Sequence, residues 1–114
     1  MSKMTTQEVA TMVESIGRPC SYYQFPDGPT DTPPERPFIC FFYSNSDDVF
    51  ADNTNYTGIA ELHIEVYSEE KDFPLEKRVE NILMQHGLTW RKQEVRLDAE
   101  QLHETIYSME VILE

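Results

Sequence analysis

At 114 residues the chain amounts to one domain, because two halves would each be too small to bury an adequate core. Apolar residues at 39% and aromatics at 11% exceed what a disordered chain carries, so a domain that folds alone is expected. Twenty-one acidic residues against nine basic give a formal net charge of −12, which repels phosphate backbones and disfavours specific nucleic-acid binding. The same excess confers solubility and can attract a basic partner.

Val9, Met12, Val13 and Ile16 recur at i, i+3, i+4 and i+7, which predicts an amphipathic helix over residues 6–16. Thr5 or Thr6 can cap its start, Glu8 sits where the helix dipole favours a carboxylate, and Gly17 before Arg18-Pro19 stops it. Residues 20–25 are aromatic and read as a short strand entering a turn at Pro26-Asp27-Gly28-Pro29. Five of the seven prolines fall within 26–37, so this segment is expected to project as a loop, either a stiff connector or an arm that docks on a partner. Residues 38–43 are apolar on both alternating faces, as in a strand within a sheet covered on both sides, by helices or by a neighbouring subunit. A polar loop follows, rich in Asp and Asn that bond locally to backbone.

In residues 59–67, Ala60, Leu62, Ile64 and Val66 share one face and Glu61, His63 and Glu65 the other, the pattern of a half-buried strand. Leu75, Val79, Ile82, Leu83 and His86 then mark a second helix, opened by Phe73-Pro74 and ended by Gly87. Residues 88–97 and 106–113 read as strands around a polar turn at 98–101, and so as a terminal antiparallel hairpin. The order α-β-β-β-α-β-β predicts a single α+β domain over 1–114, with one mainly antiparallel sheet of about five strands and two helices packed on it.

Chemistry is sparse. His63, His86 and His103 lack the close spacings that preassemble a metal site, and Asp47, Asp48, Asp52, Asn53 and Asn55 lack the regular calcium-loop pattern with its central Gly. No nucleophile elbow or phosphate-cradling glycine loop occurs, so neither a catalytic site nor a metal or cofactor is expected; Asp47, Asp48, Asp52 and His63 are the first suspects if catalysis exists. Cys20 and Cys40 lie in strand-like segments and read as reduced apolar residues. The N-terminal residues lack the apolar stretch of a signal peptide and no run reaches membrane-spanning length, so a cytosolic protein without a membrane partner is expected. Tyrosines and Trp90 are ordinary strand formers and are equally at home in interfaces. The residues chosen as an interface are Tyr22, Tyr23, Phe25, Pro29, Pro33, Pro34, Phe41, Tyr43 and Tyr56.

Several stretches together resemble a short protein of the structural-gene clusters of tailed phages and prophages of Gram-positive hosts. They are the opening Met4-Thr5-Thr6-Gln7-Glu8-Val9 with Gly17-Arg18-Pro19, Pro37-Phe38-Ile39-Cys40-Phe41-Phe42-Tyr43 followed by Asp47-Asp48, and Ala51-Asp52-Asn53-Thr54-Asn55-Tyr56. His63-Ile64-Glu65-Val66-Tyr67, the helix at 75–87 and Ile106-Tyr107-Ser108-Met109-Glu110-Val111 extend the likeness over nearly the whole chain. Its order of elements is similar to that of tail terminators and head-tail joining proteins of long-tailed phages. The resemblance implies a homo-oligomeric ring, commonly a hexamer, that joins tail tube to head connector, assembles in the host cytoplasm and ends in the virion. DNA would pass through such a ring without being specifically bound. An alternative is an acidic regulatory or inhibitory protein that mimics nucleic acid and binds a basic enzyme.

Overall fold

The computed structural model describes residues 3–22, 35–44 and 58–114. Within them six strands and two α-helices run in the order β1 (Lys3–Met4), α1 (Thr6–Glu14), β2 (Cys20–Tyr22), β3 (Phe38–Tyr43), β4 (Gly58–Ser68), α2 (Phe73–Gln85), β5 (Arg91–Leu97) and β6 (Leu102–Leu113). The α+β expectation is therefore met.

Both helices start and stop for local reasons. Thr5 caps α1 through a reciprocal box, its hydroxyl accepting from the Glu8 amide at 3.0 Å while the Glu8 carboxylate accepts from the Thr5 amide at 3.1 Å. Asp72 caps α2 by accepting from the Leu75 amide at 3.1 Å, and Pro74 lies in the first turn, where a missing donor costs nothing. At the far end Gly87 takes φ 71°, its N–H reaches the Met84 carbonyl and the Leu88 N–H reaches Leu83, which closes the helix in a Schellman turn. That turn seats Leu88 in the core at 4% exposure, so β5 begins at Arg91 and not at residue 88. His86, expected on the apolar face of this helix, is instead its exposed C-cap.

The sheet runs β1-β6-β4-β3-β2, with β5 added to β6 alongside β1. The β3–β4, β4–β6 and β5–β6 pairs are antiparallel, while β1–β6 and β2–β3 are parallel, so the sheet is mixed. The parallel β2–β3 pair needs a long connection, which residues 23–37 supply. Two extensions lay beyond the sequence reading. Strand β1 is only two residues, held by the Glu114 N–H donating to the Met4 carbonyl at 3.1 Å, and β6 begins four residues earlier than its alternation suggested, because residues 102–105 pair with β5 and residues 103–105 also with β4.

Both helices contribute to a core on one face of the sheet. Val9, Met12 and Val13 from α1 and Leu75, Val79 and Leu83 from α2 join Ile39, Phe41 and Tyr43 of β3, the even residues 60–66 of β4 and the odd residues 107–113 of β6. Each fully buried aliphatic side chain here contributes about 1.5–3 kcal/mol. No helix covers the opposite face among the described residues. There, Phe38 stacks on Tyr67 and Phe42 on His63, with ring centroids 5.0 Å apart in each pair. These cross-strand stacks lie on the second apolar face of β3, the face for which the sequence suggested a cover of helices or a neighbouring subunit.

Candidate functional site

Three of the nine chosen interface residues lie within the described structure, and they gather at one place. Tyr22, Phe41 and Tyr43 form an aromatic cluster where β2 meets β3, with centroid separations of 5.4 Å for Tyr22–Phe41 and 6.0 Å for Tyr22–Tyr43. Phe41 and Tyr43 are buried in the chain's own core, and Tyr22 is half-buried at the edge. Burial, with Tyr22 nearby, pushes the Tyr43 phenol up to about 12. Tyr23, Phe25, Pro29, Pro33, Pro34 and Tyr56 lie outside the described residues, as do most of the proline-rich segment and the Asp47, Asp48 and Asp52 loop. The β2–β3 register places Cys20 beside Ile39 on the core face and Cys40 beside Ser21 on the other, so the two thiols are on opposite sides of the sheet. Burial and the Glu14 carboxylate raise the Cys20 thiol, which favours its protonated form.

Polar side chains organise the sheet face that carries no helix among the described residues. His63 of β4 directs Nδ1 to the Ser108 hydroxyl at 3.0 Å and Nε2 to the Ser44 hydroxyl, while Glu61 pairs with Arg91. A serine beside a histidine is the beginning of a nucleophile and base, but the third position is the Ser108 hydroxyl where a carboxylate is needed to hold an imidazolium. Both ring nitrogens are also engaged, so the His63, Glu61 and Glu65 set does not present a free imidazole to a metal.

Farther along β4, the register sets Tyr67 opposite Glu104 and Glu65 opposite Ile106, which brings two carboxylates together beside one phenol. Tyr67 donates to Glu65. Burial, followed by the hydrogen bond and charge of Glu65, lifts Glu104 from 4.5 to about 7. The folded state thus holds a proton that the unfolded chain releases at lower pH. Its stabilising contribution is present below the ordinary carboxylate range and is lost as pH rises through about 7. Glu104→Gln should remove this loss, which amounts to about 1 kcal/mol once solvent screening of a partly exposed pair is allowed for. Urea midpoints at half-unit pH steps from 5 to 8 measure it, and an unchanged slope in the variant would place the proton elsewhere.

A second network joins α2 to β5 and β6. Glu76, only 4% exposed, takes the Lys71 ammonium at 3.0 Å and the Lys92 ammonium at 2.6 Å. Lys92 also bridges to Glu80 at 3.0 Å, and Tyr107 donates to Glu80 at 2.8 Å. Glu94 accepts from Lys71 and lies 3.1 Å from the His103 ring. Bonding to Glu94 and Glu76 raises Lys71, and its contact with Lys71 lowers Glu94. Partial burial works against the charges of Glu80 and Lys92, yet hydrogen bonds outweigh it: those from Lys92 and Tyr107 lower Glu80, and those to Glu76 and Glu80 raise Lys92. Ligand atoms of Glu76, Glu94 and His103 lie within 4.8 Å of one another, a spacing that could hold a metal ion. The Lys71 ammonium already bonds both carboxylates, so the charge a cation would supply is present.

Two openings flank this network. One, of about 490 Å³, lies against the stretch of β6 between its pairings with β5 and β1 and is lined by Trp90, Met109 and Glu110 among others. The other, of about 440 Å³, lies between α2 and β5. No family model, curated protein or solved structure matches the chain. Among the described residues no helix is long and apolar enough to cross a membrane.

Proposed function

We propose that this chain is a structural protein of a tailed phage or prophage, a tail-terminator or head-tail joining component that acts by oligomeric assembly and not by catalysis. The sheet face that carries no helix among the described residues is the observation that carries the assembly part of this reading. It exposes Ile59 at 59% and Val95 and Leu97 at 39% each, beside the half-buried Phe38, Phe42, Ile106 and Ile112. An apolar face of this extent, interrupted by carboxylates, suits a surface that another protein covers. The phage assignment rests on the resemblance in order of elements and sequence texture. A strongly acidic ring wall would let DNA slide past without sticking.

Light scattering across concentration and salt, followed by electron microscopy of any large species, tests the proposal. The expected result is a discrete closed ring of about six subunits, or, for a chain that needs a template, a monomer that caps phage tail tubes on mixing. A stable monomer that leaves tail tubes uncapped would overturn it.

A further inference from the structure

Strand β5 ends its side of the sheet with an open edge. The Ser44 N–H donates to the Glu61 carbonyl, so the odd residues of β4 turn their main-chain groups toward β3 and the even ones toward β6. Carried through the β4–β6 and β5–β6 registers, this alternation points the main chain of Arg91, Gln93, Val95 and Leu97 at β6 and that of Lys92, Glu94 and Arg96 away from it. Among the described residues no main-chain partner meets those three on the outer side. Such an edge is a template for another strand, and charged side chains are its usual guard. Here the guards are tied to their own molecule: Lys92 to Glu76 and Glu80, Glu94 to Lys71, and Arg96 to Asp98 and the Glu69 carbonyl.

The 440 Å³ groove between α2 and β5 runs beside this edge. None of its lining residues comes from β6, so it opens on the free side of β5. Phe73, Met84 and Trp90 give it apolar walls, with Phe73 and Met84 exposed, and its Lys92 is neutralised by Glu76 and Glu80. A strand added to β5 turns every second side chain to the helix side of the sheet, where this lining favours apolar ones. A second β5 fits badly. In the antiparallel register that overlaps all seven residues, Glu94 meets Glu94 and Lys92 meets Arg96, and like charges directly opposite are destabilising.

We propose that β5 takes an extended segment of another protein as an added strand, bonded to the main chain of Lys92, Glu94 and Arg96, with alternate apolar side chains entering the groove between α2 and β5. The proposal goes beyond the assembly reading and stands whether or not the chain closes into a ring.

The probe is a blocked peptide as long as β5, alternating valine with threonine, added to the isotope-labelled full chain. Saturable changes are expected at the amides of Lys92, Glu94 and Arg96, whose hydrogen exchange should slow by about tenfold or more, while the Gln93 and Val95 amides, already bonded to β6, change little. N-methylation of the peptide on its pairing side should weaken binding by about tenfold. Arg96→Pro should do the same, because its ring replaces an N–H that faces away from β6, whereas Arg96→Ala should bind as the parent does. The N-methylated peptide tests the parent chain itself and so does not depend on how the proline variant folds. Equal binding of that peptide would show that only side chains are held, and the proposal fails. It fails also if millimolar peptide shifts none of the three amides, or if they are protected in the free chain. Protection that rises with protein concentration in the absence of peptide overturns it in favour of a second copy at the edge.

Discussion

Replacing Glu76 by alanine is expected to lower the stability of the folded chain by about 3 kcal/mol, far more than the same change at the exposed Glu110. Glu76 lies in the first turn of α2 and is almost wholly buried, with the ammonium groups of Lys71 and Lys92 on either side. Removing it leaves two partly buried cations close together with only Glu80 and Glu94 to balance them, and an uncompensated charge in a poorly solvated place is costly. Glu76→Gln keeps the shape and one acceptor, so its loss should be smaller. Glu80→Ala is milder again, because Lys92 retains Glu76 and only the Tyr107 hydroxyl loses its acceptor. Urea unfolding of the three variants at pH 7 gives the ranking, and equal losses at Glu76 and Glu80 would show that burial of the first carboxylate is not what matters. Acid offers a second view. Glu80 and Glu94 are held below their ordinary range, so their contribution is present above about pH 4.5 and is lost as pH falls through their folded values.

The elements most legible in the sequence were those whose own periodicity decides their burial. In β4 the alternation of Leu62, Ile64 and Val66 with Glu61, His63 and Glu65 matches the buried and half-buried sides, and Val79 and Leu83 point into the core as their helical spacing requires. The two-residue β1 has no period to detect, and its place is decided by a contact with the far end of the chain. The strand read at 106–113 left out residues 102–105, three of whose side chains are polar, whereas the hairpin with β5 makes them strand. The ionic network was illegible for the same reason. Glu76 sits between Leu75 and Lys77 with nothing local to mark it as buried, and only the return of β5, which lays Lys92 beside it, makes it so. Glu65 and Glu104 are thirty-nine positions apart in sequence, and the β4–β6 register alone brings them together. Phe41 and Tyr43 show the opposite limit: their aromatic character fits a core and an interface equally, and their burial places them in the core.

Ile64→Ala should cost about 3–4 kcal/mol, whereas Ile59→Ala, five residues away on the same strand, should cost under about 0.5 kcal/mol. Ile64 is fully buried among the side chains of both helices' core layer and has no room to be replaced by solvent, so its loss adds a cavity to the lost transfer energy. Ile59 points to the face opposite the helices at 59% exposure and gives up little on truncation. The contrast follows from the two-residue period of a strand, in which odd and even positions face different layers. Chemical denaturation of the two purified variants measures it directly, and comparable losses would mean that the outer face is already covered in the free chain. The same pair separates folding from assembly. Ile64→Ala should weaken both, since an unstable subunit cannot pack, while Ile59→Ala should leave the monomer's stability intact and reduce only its association with a second copy.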